Sequence, residues 1–286
     1  MAVRRSGVRQ VVPVAGRPHH SIAPQARVTR RILISLVTLV LVTLTAAADA
    51  KPAVVAVPAG NLSVLALGDS VTSGFHCYCD AFPAAYGDQL AAQTGSGVTV
   101  HNFGVGGIDS GGLLDDLDES GSPMAQAATD ADYVLLTIGA NDFAGHEDDV
   151  TAGTCTTECV SEELAGLSTN LRQILDRITA LDTHRTPEVL VTGYWNVFKD
   201  GQVARDEYPL EGVDATQALT KAANEVIANV AQAAHATYVD LYAPFEAAPD
   251  VTKLLAADGD HPNAAGHALI ADLLLKATPP QRKLTG

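Results

Sequence analysis

Five short apolar runs alternate along the chain with longer segments whose apolar residues recur at helical spacing. The runs are residues 64–67, 98–103, 133–138, 189–195 and 238–242. The clearest amphipathic segments are residues 161–181, 212–234 and 263–276. Short apolar runs separated by helices predict parallel strands joined by right-handed crossovers. The sequence therefore predicts an α/β fold, a three-layer α/β/α sandwich with a central five-stranded parallel sheet.

The first 50 residues differ in composition from the rest of the chain. They hold seven of the 18 lysines and arginines and a single acidic residue, Asp49, and residues 32–48 form an apolar run. A basic segment, an apolar run and a small-x-small cleavage pattern at residues 48–50 are typical of a secretory signal peptide. The pair Arg30-Arg31 also resembles a twin-arginine export signal. The alternative is an uncleaved membrane anchor formed by residues 32–48, which are just long enough to span a bilayer.

This division predicts an export signal at residues 1–50, a short tether at residues 51–61 and one folded domain at residues 62–286. Removal of residues 1–50 leaves 11 basic and 32 acidic side chains, a net charge of −21. So negative a domain is a poor partner for nucleic acid and for anionic membrane surfaces. We expect a secreted protein with no stable membrane insertion after cleavage of the signal.

Polar residues follow three of the predicted strands at the point where each strand ends. Gly68-Asp69-Ser70 follows the first, a glycine-rich turn at 104–107 the second, and Asn141 the third. Because the carboxyl ends of parallel strands share one sheet edge, these residues converge there. Acyl transfer needs such convergence, since a serine nucleophile, a base and oxyanion donors must surround one carbonyl. Ser70 is the candidate nucleophile and Asn141 a candidate oxyanion donor; the alternative is that both belong to simple turns.

A base for Ser70 must come from the few histidines after residue 50. His261 follows the fifth predicted strand and has Asp258 three residues before it. This spacing lets the carboxylate accept a hydrogen bond from the ring Nδ1 and leaves Nε2 to take the serine proton. Asp260 is the rival orienting acid. The other histidines are interpreted as surface, loop or structural residues: His76, His101, His146, His184, His235 and His267.

These residues carry a resemblance to the SGNH, or GDSL-type, hydrolase family. The family's four sequence blocks correspond, in order, to residues 68–71, Gly107, residues 139–142 and residues 258–262. The resemblance implies that residues 62–286 form an SGNH hydrolase domain with a flavodoxin-like sheet and that the chain hydrolyses esters.

The resemblance also implies a role for each matching residue. Ser70 would be the nucleophile, His261 its base, and Asp258 the acid that orients His261. The oxyanion hole would consist of the backbone N–H groups of Ser70 and Gly107 and the side-chain amide of Asn141. The glycine preceding Gly107 is the alternative for the second of these donors. No cofactor and no metal is implied.

Four cysteines lie in two close pairs, Cys77 with Cys79 and Cys155 with Cys159. An even number in an exported chain predicts two disulfides, for which three connectivities are possible. A local Cys155–Cys159 bond is geometrically easy, whereas Cys77–Cys79 would close a tight ring, and pairing between the two loops would relieve that strain. A zinc site formed by all four thiolates is the competing interpretation. We expect disulfides that pin the loops after strands one and three beside the site.

The sequence thus predicts an exported serine hydrolase that cleaves carboxylic esters through an acyl-enzyme, of the lipase or esterase type. Its expected substrate is a small-molecule or lipid ester. The same centre would also serve an acyltransferase or an enzyme that removes acetyl groups from sugars, and a catalytically silent binding module is a further alternative. A nucleotide-binding role is disfavoured, because no G-x-x-x-x-G-K-[ST] motif occurs.

Overall fold

The computed structural model describes residues 60–181 and 186–279, and these ranges contain a sheet of five strands. The strands are β1 (Leu62–Gly68), β2 (Val98–Gly104), β3 (Tyr133–Thr137), β4 (Glu188–Thr192) and β5 (Thr237–Val239). All neighbouring strands are parallel, in the order β2-β1-β3-β4-β5. The predicted five-stranded parallel sheet is confirmed.

Helices cover both faces of this sheet, which completes the predicted three-layer sandwich. Among the larger ones, α2 packs against α10, whereas α6 packs against α3 and α8. The α-helices are α1 (Ser70–Ser73), α2 (Phe82–Thr94), α3 (Ser110–Asp118), α4 (Pro123–Ala128), α5 (Glu147–Thr151), α6 (Ser161–Leu181), α7 (Gly201–Glu207), α8 (Leu210–Ala233), α9 (Tyr242–Glu246) and α10 (Ala264–Ala277). In the same described ranges, 3-10 helices span Asn141–His146 and Val251–Leu254.

β1 and β3 form the centre of the core, because helices cover both of their faces. Leu65 and Leu67 of β1 and Leu135 and Leu136 of β3 have no exposed surface. Continuous apolar runs are what parallel strands covered on both faces require. β2 lies at the edge of the sheet and exposes several of its residues. This position explains why the sequence of β2 alternates while those of β1 and β3 do not.

The clearest amphipathic segment, residues 161–181, has the bounds that its pattern indicates, whereas the shorter elements differ from expectation. The buried residues of α6 recur every three or four positions from Leu167 to Ile178, which is the stripe of an amphipathic helix. By contrast, no amphipathic pattern marks α5 or α7, and β5 ends at Val239, before the predicted end at Tyr242. Helices of five to seven residues depend on tertiary packing more than on a local pattern.

The first three strands end at the same level of the sheet. Gly68 of β1 pairs with Gly104 of β2 and with Thr137 of β3. Gly68 has a φ of 144°, and a Cβ atom there would collide with the carbonyl oxygen of Thr137. Glycine alone is compatible with this φ and this close approach. The segments that follow the three strands therefore start from one common edge.

No helix within residues 60–181 or 186–279 is long and apolar enough to cross a membrane. The predicted export signal at residues 1–50 and the tether up to residue 59 lie outside the described residues, as does His184. The domain expected from residue 62 begins with β1 at Leu62.

Candidate active site

Ser70 stands at the first residue of α1, directly after the end of β1. Asp69 caps this helix, because its carboxylate accepts a hydrogen bond from the Val71 N–H at 2.9 Å. The first N–H groups of a helix have no acceptor within the helix, so the Ser70 N–H is available to a ligand. One residue thus presents a hydroxyl and a backbone donor at the sheet edge.

His261 links Ser70 to Asp258 through its two ring nitrogens. Nε2 lies 2.8 Å from Ser70 Oγ, and Nδ1 lies 2.8 Å from Asp258 Oδ2. The rival acid, Asp260, has its Oδ2 3.6 Å from the same Nδ1, which is too long for a hydrogen bond. The structure therefore places Asp258, and not Asp260, as the acid that orients His261.

The two acids beside His261 differ in their electrostatic environment. Partial burial acts to raise the pKa of Asp258, but hydrogen bonds from His76 and from the backbone N–H groups of His261 and Asp260 outweigh it and lower the pKa to about 2. Burial raises the pKa of Asp260, and the positive charge of His261 only partly opposes this rise. Asp258 is therefore ionised at neutral pH and accepts hydrogen bonds only.

Gly107 and Asn141, the expected oxyanion donors, both lie on the Ser70 edge. Asn141 begins the 3-10 helix after β3 and lines the same cleft as Ser70. Its Nδ2 donates one hydrogen to the Ile108 carbonyl at 2.8 Å and has a second hydrogen to offer a substrate. Gly107 adopts a φ of 80°, and the residue before it, Gly106, approaches Ser70, since a Cβ at that position would lie 4.0 Å from the Ser70 Cβ.

Asp142 ties the turn carrying Asn141 to the loop carrying Gly107. Its carboxylate accepts hydrogen bonds from the Ser110 N–H at 3.0 Å and from the Ser110 hydroxyl, and Asn170 donates to that hydroxyl oxygen at 3.0 Å. Burial raises the pKa of Asp142, although the bonds from Ser110 oppose the rise. The aspartate of the third sequence block thus joins the two segments that carry the expected oxyanion donors.

A buried pair beneath the nucleophile, Asp69 with Tyr194, was not anticipated from the sequence. Tyr194 donates its hydroxyl hydrogen to Asp69 Oδ2 at 2.5 Å, and each residue is 1% exposed. Burial raises the pKa of Asp69 to about 6, although hydrogen bonds from Tyr194 and from the Val71 N–H oppose the rise. Burial and the nearby Asp69 raise the pKa of Tyr194. The partners are 125 residues apart, so no local pattern indicates the contact.

His76 is exposed, as expected of a surface residue, but it also contacts Asp258, which the sequence did not indicate. Its Nδ1 lies 2.5 Å from Asp258 Oδ2, and Phe75 stacks on its ring. Its partner is 182 residues away in sequence. Two other histidines have partners outside the triad: His146 binds a glutamate of α6, and the buried His267 accepts a hydrogen bond from a backbone N–H of α2.

Of the three connectivities that the sequence leaves open, the structure favours the local one, with the cysteines of each close pair next to each other. Cys77 pairs with Cys79 and Cys155 with Cys159, with Cα atoms 5.1 and 5.9 Å apart. Both separations lie within the range that disulfides span, so neither pair needs a partner from the other loop. In the described ranges the four sulfurs do not form one cluster, which argues against the four-thiolate zinc site.

Three groups of side chains in the described part of the chain have potential metal-binding atoms within 4.8 Å of one another. Two of these groups combine a cysteine pair with His146 or His267, and their sulfur atoms pair with each other. The third consists of His76, Asp258 and His261, whose atoms already bond to one another and to the nucleophile. This third arrangement suits proton transfer.

A cleft beside the nucleophile holds about 310 Å³ of free space, part of it open to solvent, and is lined by Ser70, Asn141, Trp195, Val197 and His261 among others. The Ser70 hydroxyl lies 2.8 Å from its base, His261, and can attack an acyl carbonyl. The amide donors beside it can stabilise the resulting oxyanion. The fold and the site therefore define a serine hydrolase of acyl compounds built on a flavodoxin-like sheet.

Comparison with protein families identifies the particular group of hydrolases. The model of the GDSL-like Lipase/Acylhydrolase family matches residues 66–269. The chain belongs to this family and is a carboxylic ester hydrolase. The match begins within β1 and ends within α10, so it includes every site residue described above. A search of curated proteins gave no match.

Solved structures of similar fold include several esterases. The lipase Lip_vut3 from a goat rumen metagenome has a TM-score of 0.62 at 18% identity, covering 76% of this chain and 97% of its own. Axe2, an acetylxylan esterase from Geobacillus stearothermophilus, has a TM-score of 0.56 at 19% identity, covering 78% and 97%. A lipase/acylhydrolase from Enterococcus faecalis has a TM-score of 0.51 at 21% identity, covering 77% and 100%. At these identities the similarity shows the shared fold.

Proposed function

We propose that this ester hydrolase is an exported carboxylesterase that acts through an acyl-enzyme and prefers short acyl groups. The observation that carries the mechanism is the position of His261, with Ser70 Oγ and Asp258 Oδ2 each 2.8 Å from one of its ring nitrogens. This geometry gives every proton in the reaction a defined donor and acceptor.

In the first half of the reaction, Ser70 Oγ attacks the ester carbonyl while its proton passes to His261 Nε2. The oxyanion accepts hydrogen bonds from the Ser70 N–H and the Asn141 amide, with Gly107 as the third donor that the family implies. His261 then gives its proton to the leaving alkoxide, and an acyl-Ser70 ester remains. Water then attacks the carbonyl of acyl-Ser70 while His261 Nε2 takes its proton, and this proton passes to Ser70 Oγ as the ester bond breaks and the carboxylic acid leaves. Asp258 stays ionised throughout and stabilises the imidazolium.

The size of the cleft favours a short acyl group. The cavity volume of the cleft is about 40 Å³, far below the range of about 300–1,000 Å³ for small-molecule pockets, and much of its remaining free space is open to solvent. The cleft is lined by Tyr194 and Trp195, which are each 1% exposed and are packed in the core. A long acyl chain would have to displace these side chains or lie outside the cleft.

The experiment compares hydrolysis of chromogenic acetate, butanoate and dodecanoate esters by the parent enzyme, with Ser70→Ala as the control for background. The proposal expects kcat/KM to fall steeply from butanoate to dodecanoate. An acetylated xylooligosaccharide is a useful further substrate, since Axe2 of similar fold is an acetylxylan esterase. Dodecanoate hydrolysis equal to that of acetate would contradict the short-acyl preference.

The proposal of export is supported by the sequence of the first 50 residues, which has a basic start, an apolar run and a small-x-small cleavage pattern. The test is to express the full chain in a bacterial host and to sequence the amino terminus of the protein found in the medium. A mature chain starting at Lys51 supports export by cleavage. Retention in the membrane fraction with residues 32–48 intact would favour the anchor instead.

A further inference from the structure

The acid of the triad carries a second imidazole that the reaction described above does not use. The Nδ1 atoms of His76 and His261 both hydrogen-bond to Asp258 Oδ2, at distances of 2.5 and 2.8 Å. The other carboxylate oxygen, Oδ1, accepts the backbone N–H groups of Asp260 and His261, each at 3.1 Å. An ionised carboxylate has about four lone-pair sites, and here all of them are used.

This saturation restricts the rotation of the carboxylate. Without His76, Oδ2 of Asp258 would have one protein donor, and rotation of the carboxylate would break that bond and the two backbone bonds to Oδ1. With His76, any rotation also breaks a charge-assisted hydrogen bond, which is the stronger kind. Since Asp258 only accepts hydrogen bonds, the Nδ1 of His76 carries a hydrogen and its Nε2 is the unprotonated nitrogen when the ring is neutral.

The loop around His76 holds its ring in this place by an unusual backbone. His76 and Tyr78 have φ values of 59° and 52°, in the left-handed region that residues other than glycine seldom adopt. Phe75 stacks on the His76 ring with centroids 4.0 Å apart, and it meets the His261 ring edge-on at 5.0 Å. Strained residues of this kind cluster at functional sites, where the surrounding structure holds them in place.

We propose that His76 is a positioning residue of the esterase, which donates to Asp258 and thereby fixes the carboxylate that orients His261. The inference rests on the proposed acyl-enzyme mechanism, because it assigns His76 a role in orienting its base. His76 acts through Asp258 and needs no contact with the substrate. Three histidine and aspartate side chains then work as one hydrogen-bonded unit behind the nucleophile.

The decisive variants are His76→Ala and His76→Asn, with Tyr78→Ala as the matched control. The two alanine variants make the same change of backbone preference in the same loop, but Tyr78 is 98% exposed. Asparagine tolerates the left-handed region and retains an N–H donor near the position of Nδ1. Melting temperatures of all three variants report any loss of folding.

We expect His76→Ala to lower kcat and kcat/KM by the same factor, about tenfold, as loss of a partly solvated hydrogen bond to a charged group would do. His76→Asn should recover most of this loss, and Tyr78→Ala should match the parent. In an Asp258→Ala background, His76→Ala should cause no additional loss, because the residue through which it acts is gone.

Three results would overturn the assignment while the parent remains an active esterase. These are parental kcat in His76→Ala, an equal loss in Tyr78→Ala, or a full His76→Ala effect that persists without Asp258. A parent inactive on every ester would instead refute the proposed function itself. The two failures are therefore distinguishable in one set of assays.

Discussion

Replacing Asp258 by asparagine tests the part of the site that depends most on geometry. The carboxylate holds the Nδ1–H of His261 at 2.8 Å, and Asp258→Asn removes its charge and presents an amide that stabilises the wrong ring tautomer. In the serine protease for which this substitution is best characterised, kcat falls about 10⁴-fold. We expect a loss of similar order here. Asp260→Asn is the matched control, because Asp260 lies 3.6 Å from the same nitrogen and should lose less than about tenfold.

Stability gives a second measure of the same substitution. The folded-state pKa of Asp258 is depressed to about 2 from an ordinary 3.8, so its ionised form stabilises the fold above pH 4, and that contribution is lost as the pH falls towards 2. A shift of this size corresponds to about 1–2 kcal/mol after allowance for solvent screening of a side chain that is 22% exposed. Asp258→Asn should therefore lower Tm by roughly 2–8 °C at pH 7.

The control variant Asp260→Asn should not show this loss of thermal stability. Burial raises the pKa of Asp260, so its charge opposes folding as the pH rises, and Asp260→Asn should leave Tm at pH 7 equal or higher. Steady-state kinetics with a chromogenic acetate ester and thermal melts at pH 7 and pH 3 supply both readouts. If Asp260→Asn is the crippled variant and Asp258→Asn is near normal in both, the assignment of the orienting acid is wrong.

Three further predictions concern neighbouring parts of the site. Asn141→Ala should lower kcat by about 10²–10³-fold as one oxyanion donor is lost, and unchanged kcat with a lower Tm would restrict its role to the bond to Ile108. Tyr194→Phe should destabilise the fold more at pH 8 than at pH 5 in urea unfolding. Burial raises the pKa of Asp69 to about 6, so ionisation of this carboxyl weakens folding as the pH rises, and the hydrogen bond from Tyr194 opposes that effect. An equal loss at both pH values would contradict this reasoning. Mass spectrometry of the unreduced protein should find two local disulfides, Cys77–Cys79 and Cys155–Cys159, and free thiols or bound zinc would refute that pairing.

The fold and the triad were predictable from the sequence because their signals are local or topological. Alternating apolar runs define the parallel strands, and parallel strands bring Ser70 and Asn141 to one edge wherever they lie along the chain. The three-residue spacing of Asp258 and His261 places acid and base in one turn. Each inference needed only a short pattern and the geometry of a parallel sheet.

The contacts that were missed depend on tertiary packing between distant segments. Tyr194 reaches Asp69 across 125 residues, and His76 reaches Asp258 across 182. No local sequence pattern around Tyr194 or His76 indicates which distant residue it contacts. The left-handed backbone of His76 is equally hidden, because no glycine or asparagine marks the position. The short helices α5 and α7 were missed for the related reason that packing, and not periodicity, stabilises them.

The measurement that tests the central claim most directly is acylation of Ser70 itself. The parent and Ser70→Ala are mixed with a chromogenic acetate ester, turnover is recorded, and the protein is quenched in acid for peptide mass analysis. The account predicts an acetyl group on the peptide containing Ser70 in the parent, and a loss of turnover of about 10⁴–10⁶-fold in a Ser70→Ala protein that melts like the parent. Acetylation at another residue, or substantial turnover by Ser70→Ala, would contradict it.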